Sequence, residues 1–311
     1  KMDKTTPAYL AVAAYLDGVN QYQASHPVPV EFDILGITRR PFTPEDTLSV
    51  AGYLAYSFAS AFRTEPVMTA IRDQLGARYL TVFDLDWHPQ GVVKTDVTAS
   101  LSPADWAGLD RIAQVSRAVL DASAMPLFEG SNAWAIAGSR SASGKPILAG
   151  DPHIGFSAPA VWCEAHLKSP GMELYGHFQA LNPLALLGHN RRFGWSMTMF
   201  QNDDIDMVVE KANPDNANQV WHQGRWVDLQ QRNETIAVKG AAPVDLVLRR
   251  SPHGPIITDA YPDNYGKTAV AMWWTFLETE NPILDAFYEL NRADTLDKAR
   301  MATSKIHAPG L

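Results

Sequence analysis

The sequence FEGSNAWAIAG, from Phe128 to Gly138, places a glycine, a serine and an asparagine at the start of an apolar run. Ala133, Ala135 and Ala137 alternate with Trp134 and Ile136, the pattern of a core strand with two coverable faces. Ser131 is then either a solvated strand end or a hydroxyl placed for chemistry. Further on, DPHIGFSAP supplies His153 in the loop after the next strand, where it could equally cap carbonyl groups. NDDID carries acids at 203, 204 and 206, a spacing that lets two carboxylates and a carbonyl converge on a hard cation such as calcium. The same five residues also make a solvated acidic turn.

Other motifs fail on chemistry. GSRSASGK, Gly138 to Lys145, has one residue too many between its glycines for a phosphate loop, and Pro146 stands where a magnesium-binding hydroxyl belongs. It reads as a hairpin turn. Glu129 and Ala133 occupy the flanks that a nucleophile elbow needs as glycine. Asn233–Thr235 has the glycosylation pattern but reads as a polar strand start.

With 311 residues, 46% of them hydrophobic and 10% aromatic, the chain can bury a sizeable core in one large or two ordinary domains. A formal charge of −8 without any Lys/Arg run argues against nucleic acid and anionic membrane as partners. No apolar run is long enough to span a bilayer. The single cysteine, Cys163, excludes an intramolecular disulfide and reads as a small core residue. The start KMDKTTPAYL and the loop-like ending KIHAPGL are those expected of a fragment.

The first third reads as helices: one over AYLAVAAYLDGVNQY, one opening with Thr43 as N-cap and Pro44 at the first helical position, and one over Pro66 to Leu75. From Ser131 the pattern changes to short strands over 131–137, 146–150, 161–168, 172–178, 193–200, 205–210, 234–239, 244–250 and 268–276, with helices over 283–291 and 295–305. Helices, a strand meander and helices again predict an α+β fold of stacked antiparallel sheets with helical layers outside.

GSNAWAIAGSRSASGKPILAGDPHIGFSAPAVW resembles the start of the catalytic β-subunit in the penicillin acylase family of N-terminal nucleophile hydrolases. LGHNRRFGWSMTMFQNDDID and RTEPVMTAI resemble further family segments, in family order. The resemblance implies a four-layer αββα core. It also implies two domains: residues 1–130 as the end of a helical α-subunit with its linker, and residues 131–311 as the start of the β-subunit. In the family the chain cuts itself before the serine, here between Gly130 and Ser131, and the two products remain partners. Glycine at 130, lacking a Cβ, is expected to permit a strained carbonyl and a close hydroxyl.

The freed α-amine of Ser131, with a reference pKa of about 7.7–8.0, then serves as the base that the hydroxyl needs. By resemblance His153 lies beside the nucleophile and hydrogen-bonds it, its backbone helping to orient the amine; Asn132 acts in processing or packs. The Met199 N–H is the implied oxyanion donor, and the family's asparagine donor falls beyond Leu311. Resemblance assigns structural calcium to Asp203, the Ile205 carbonyl, Asp206 and Glu65. It assigns the acyl pocket to Phe58, Phe62, Ile154, Leu187 and Met199. Ile154 and Leu187 are aliphatic where benzylpenicillin acylases carry aromatics, which allows a fatty acyl chain.

The implied activity is amide hydrolysis of an N-acylated small molecule such as a β-lactam, in the periplasm or outside the cell. The alternatives are an N-acyl homoserine lactone acylase and, without catalysis, a calcium-stabilised binding protein.

Overall fold

The computed structural model describes residues 3–58, 61–83, 102–122, 128–200, 204–260, 268–278 and 280–311. Helices run over Pro7–Ser25 (α1), Val30–Leu35 (α2), Pro44–Phe58 (α3), Ala61–Leu75 (α4), Pro103–Ala122 (α5), Thr275–Glu278 (α6), Ile283–Asn291 (α7) and Leu296–Thr303 (α8). Strands run over Phe128–Ile136 (β1), Ile147–Ile154 (β2), Cys163–Ser169 (β3), Met172–Phe178 (β4), Leu187–Asn190 (β5), Gly194–Trp195 (β6) and Ile205–Val209 (β7). They continue over Ala212–Asn213 (β8), Asn216–His222 (β9), Arg225–Asp228 (β10), Gln230–Ile236 (β11), Val244–Ser251 (β12), Gly254–Pro255 (β13) and Val270–Trp274 (β14). The fold is mixed helix and antiparallel sheet, as the sequence pattern predicts.

Two compact units share the chain. The first comprises 1–58, 124–202 and 279–311, and the second 59–123 and 203–278. The expected division at Gly130 concerns the covalent chain, and compactness does not test it.

In the first unit α1 starts at Thr6, whose side chain accepts the Tyr9 N–H at 3.2 Å, with Pro7 at the first helical position. It stops at His26, held extended ahead of Pro27. Ala8, Val12 and Leu16 recur four apart on one face and are buried to 2% exposure or less. They join Leu174 and Phe178 of β4 and Ile283, Phe287 and Leu290 of α7 in one core. Sheet β3–β4–β5–β6 lies in that core, with helices on one side. The β1–β2 hairpin lies on the other side, where a Cβ on Gly150 would run into Ser196 Oγ and meet Leu187 Cδ2 at 3.4 Å. Helix α3 touches the hairpin as well, at β1.

Two buried polar links hold irregular segments to this frame. Asn291, 7% exposed, accepts the Ala185 N–H at 2.8 Å and donates to the Ala185 carbonyl at 2.9 Å. Thr47 donates to the carbonyl of Leu181 at 2.7 Å, fixing a residue whose φ of 61° costs a side chain about 1–2 kcal/mol.

The second unit holds sheets β8–β9–β10, β11–β12–β13 and β7–β14 around Val220, Ile256 and Ala271. Helix α5 opens with a capping box: Ser102 Oγ donates to Asp105 at 2.6 Å while the Asp105 N–H donates back at 3.2 Å.

Several expectations need correction. Cys163 is exposed, not core: β3 is an edge strand whose side chains are nearly all exposed. The strand expected over 193–200 pairs only at Gly194–Trp195, because the chain then leaves the sheet and the Phe200 N–H bonds the Gly310 carbonyl at 3.1 Å. Helices α2 and α5 and the β9–β10 hairpin have no counterpart among the sequence expectations. GSRSASGK does form the turn joining β1 to β2.

Asn291→Ala leaves the Ala185 N–H and carbonyl buried without partners, so we expect it to lower stability by at least about 2 kcal/mol. The shift of the urea midpoint at constant slope measures this.

Candidate active site

Strand β1 runs straight through the Gly130–Ser131 bond and pairs antiparallel with β2. Gly130 lies opposite His153 and Ser131 opposite Pro152. The register slips between Phe128 and Gly130, so two residues on β1 oppose one on β2. Such a bulge bends a strand and re-aims its side chains, and here it sits immediately before the candidate cleavage point.

Ser131 Oγ donates to the Gly130 carbonyl oxygen at 2.5 Å, so the hydroxyl lies against the group it would attack. The Ser131 carbonyl accepts from Thr198 Oγ1 at 2.9 Å, which ties the strand to the segment after β6. On this side of the hairpin a small open cleft of about 30 Å³ contains Ser131 and Met199 in its wall. Leu54 and Phe58 come from α3, Leu187 from β5, and Trp162 and Met197 from loops. Among the described residues no group accepts the Met199 N–H, which leaves it available to a ligand oxygen.

His153 is placed differently from its expected contact with the serine. Side chains alternate across a strand, and directly opposed residues share a face. His153, Asn132 and Asp151 therefore lie on one face of the hairpin and Ser131 on the other. His153 Nε2 sits 3.0 Å from Asp151 Oδ2 and 3.1 Å from Asn132 Nδ2. A carboxylate only accepts, so the neutral ring directs an Nε2–H at Asp151. Nδ1 then faces Gly130, where an added Cβ would meet it at an ordinary 3.6 Å. The φ of Gly130 is not among the left-handed ones. A left-handed backbone is therefore not what calls for glycine at 130, while the close hydroxyl expected there is present.

Of the pocket residues expected from sequence, Phe58, Leu187 and Met199 are together in the cleft. Ile154 instead packs half-buried against the core of its unit. Phe62 lies on α4 in the other unit, and its side chain is outside the described residues. Thr198, Trp162, Leu54 and Met197 were not anticipated as site residues. Thr198 and Met197 stand next to Met199 in WSMTMF, but only the departure of that segment from the sheet turns them toward the serine.

The acidic segment falls in the second unit. Glu65 Oε2 accepts the Met207 N–H at 2.9 Å, which brings α4 to the strand that carries Ile205 and Asp206. Ile205 is buried, Asp206 half-buried and opposite Trp273, and Asp203 lies outside the described residues. Asp204, 4% exposed, offers its carbonyl to Thr275 at 3.0 Å. No group of three or more potential ligand side chains assembles among the described residues. A hard-cation site is nonetheless compatible with the donor set, since Glu65 and Asp206 meet one short stretch of backbone.

No described helix is long and apolar enough to cross a membrane. In comparisons with known proteins, an acyl-homoserine lactone acylase, QuiP of Pseudomonas aeruginosa, is 28% identical over 309 residues, 94% of this chain and 36% of its own length. The penicillin acylase 2 proenzyme of Pseudomonas sp. (strain SE83) is 28% identical over 78% of this chain and 32% of its own length. Penicillin G acylase of Escherichia coli is 31% identical over 41% of this chain. A solved structure, the thermostable penicillin G acylase from Alcaligenes faecalis, superposes with a TM-score of 0.50 at 26% identity, covering 57% of this chain and 31% of that one. The chain spans about a third of the length of these curated relatives. The family profile for penicillin amidase matches residues 1–311, and the chain belongs to that family.

Proposed function

We propose that this chain carries the nucleophile and part of the acyl pocket of an acylase, which hydrolyses the amide of an N-acylated small molecule. One observation carries the reading: Ser131 lines an apolar cleft with Met199 while its hydroxyl lies against the Gly130 carbonyl. In maturation Ser131 Oγ attacks the Gly130 carbonyl carbon, the peptide C–N bond breaks, and the hydroxyl proton passes to the released nitrogen. Water then hydrolyses the ester, giving a carboxyl terminus at Gly130 and a free α-amine on Ser131. The two products stay together as α and β chains.

In turnover the α-amine takes the Ser131 proton as Oγ attacks the substrate amide and gives it to the departing amine; it then takes a proton from water, which hydrolyses the acyl ester and releases the acid, and returns that proton to Oγ. The Met199 N–H stabilises the oxyanion, a contribution of about 2.7–4 kcal/mol for one donor in such sites. Thr198 keeps Ser131 from moving along its strand during both reactions.

A cleft walled by Leu54, Leu187 and Met197 with Phe58 and Trp162 takes an apolar acyl group. The aliphatic part of this wall favours a second substrate reading, the fatty-acyl amide of a homoserine lactone, over an aromatic β-lactam side chain. Relatives named as acyl-homoserine lactone acylases and as penicillin acylases fit both. Calcium, where bound, supplies a structural charge held by Asp203, the Ile205 carbonyl, Asp206 and Glu65. The site of action is the periplasm or the medium.

The tests use a polypeptide carrying this chain at its relatives' full length. Ser131→Ala should stay uncut and inactive, whereas Ser131→Cys can still be cut because a thiolate is the better nucleophile. Mass spectrometry showing normal two-chain maturation of the alanine variant would sink the mechanism. Activity of the mature enzyme should rise with pH, its acid limb near or below about 7.7–8.0, because only the unprotonated amine is a base. If enzyme acetylated at the Ser131 amine turns over normally, another group is the base. N-acyl substrates of graded chain length separate the two substrate readings through kcat/KM. Exhaustive chelation should lower Tm, as expected for loss of a ligand bound only by the folded state, and Asp206→Ala should mimic it. A melting curve indifferent to chelator and to added calcium returns NDDID to a solvated turn.

A further inference from the structure

On the first unit, away from Ser131, three chain segments meet around a cleft of about 450 Å³. The β3–β4 hairpin contributes Lys168 and Glu173, the β5–β6 turn Arg191 and Arg192, and the residues after α7 Arg292 and Asp294. In a chain of formal charge −8 this wall holds four cations against two acids. Both acids are already engaged. Glu173 pairs with Arg191 and also meets His166 Nε2 at 3.3 Å, and Asp294 pairs with Lys298 at 2.6 Å. The Arg191 bond holds the Glu173 carboxyl below its usual range, and the Lys298 bond does the same for Asp294. Among the described residues Lys168, Arg192 and Arg292 have no carboxylate at ion-pair distance, though Lys168 helps to lower Glu173 and Arg192 helps to lower Asp294 from further away; Arg292 stacks over the Tyr288 ring at 4.7 Å.

The cations are held by a frame, not by chance proximity on mobile loops. Asn190 Nδ2 donates to the carbonyls of Asn291 at 3.0 Å and Ala293 at 2.8 Å. Its Oδ1 accepts the N–H groups of Arg192 and Phe193, each at 2.8 Å. One side chain thus fixes the Arg191–Arg192 turn against the segment that carries Arg292. It also engages carbonyls at the C-terminal end of α7, where unsatisfied dipoles would repel an anion. Asn291, bonded twice to Ala185, anchors the same segment to the core.

We infer that this cleft is a binding site for a phosphate-bearing ligand, with Arg192, Arg292 and Lys168 as its contacts. Two guanidinium groups and an ammonium match a dianion with three acceptor oxygens better than they match a single carboxylate. The volume lies within the range of small-ligand sites and exceeds what one inorganic ion fills, so the phosphate belongs to a larger molecule. That molecule is either a soluble phosphomonoester or a lipid with a phosphate headgroup. The inference does not depend on acylase activity.

The test titrates the 311-residue chain with inorganic phosphate and with glycerol phosphate by calorimetry, against sodium chloride of matched ionic strength. Saturable binding of both phosphates is expected, with glycerol phosphate the tighter. The double variant Arg192→Gln/Arg292→Gln should weaken it at least tenfold while its circular dichroism and its Tm in chloride stay unchanged. Lys168→Gln, an exposed single change, should weaken binding in the same direction and serves if the double variant folds poorly. Sedimentation with vesicles containing phosphatidic acid, but not with phosphatidylcholine vesicles, that glycerol phosphate reverses assigns the lipid source. Binding of glycerol phosphate without any vesicle association assigns the soluble one. No saturable heat with either phosphate, or equal affinity in wild type and both variants, overturns the site.

Discussion

The backbone ladder between β1 and β2 is the constraint on which the candidate active site depends. Its register sets Ser131 opposite Pro152, and alternation then decides which groups can reach the hydroxyl. A slip of β1 by one residue against β2 would turn Ser131 away from Met199 and Leu187, onto the face that carries His153. Nothing in the composition of the hairpin prevents that slip, because alanines and apolar residues alternate with little contrast. The bond from Thr198 to the Ser131 carbonyl and the close approach of Gly150 to Ser196 pin the hairpin from outside instead.

How much of this was readable in the sequence follows from how local each signal is. The α1 helix was readable because Thr6, Pro7 and the Ala8–Val12–Leu16 spacing are all local. The β1–β2 turn was readable because Gly138 and Gly144 bracket it. The β9–β10 hairpin was not. Its turn residues, Gln223 and Gly224, both have positive φ, at 49° and 82°, and glutamine is an uncommon choice for a position that usually takes asparagine or aspartate. Strand periodicity over 193–200 misled because apolar residues there face a cleft rather than a sheet neighbour.

For the site, residue types were legible and relations were not. Ser131, Met199, Phe58 and Leu187 converge as the resemblance implies. The partners of His153 could not be read from spacing, since they depend on the register of β1 against β2, which sets Asn132 opposite Asp151. Glu65, far from strand β7 in sequence, accepts the Met207 N–H on it, a pairing that no local spacing announces.

At Gly130 the hydroxyl lies close to the carbonyl, as the sequence argument expects, while the φ is ordinary and a Cβ there meets only His153 Nδ1 at contact distance. The glycine that cannot carry a side chain is Gly150, where a Cβ would collide with Ser196 Oγ. In the sheet beneath, Gly176 and Gly188 oppose one another, and a Cβ on either would strike backbone of the adjoining strand. Gly176 and Gly188 let β4 and β5 approach within the sheet, and only Gly150 lets the hairpin lie close on the segment after β6. The close approach that bears on the reactive bond is therefore on β2, the strand paired with it.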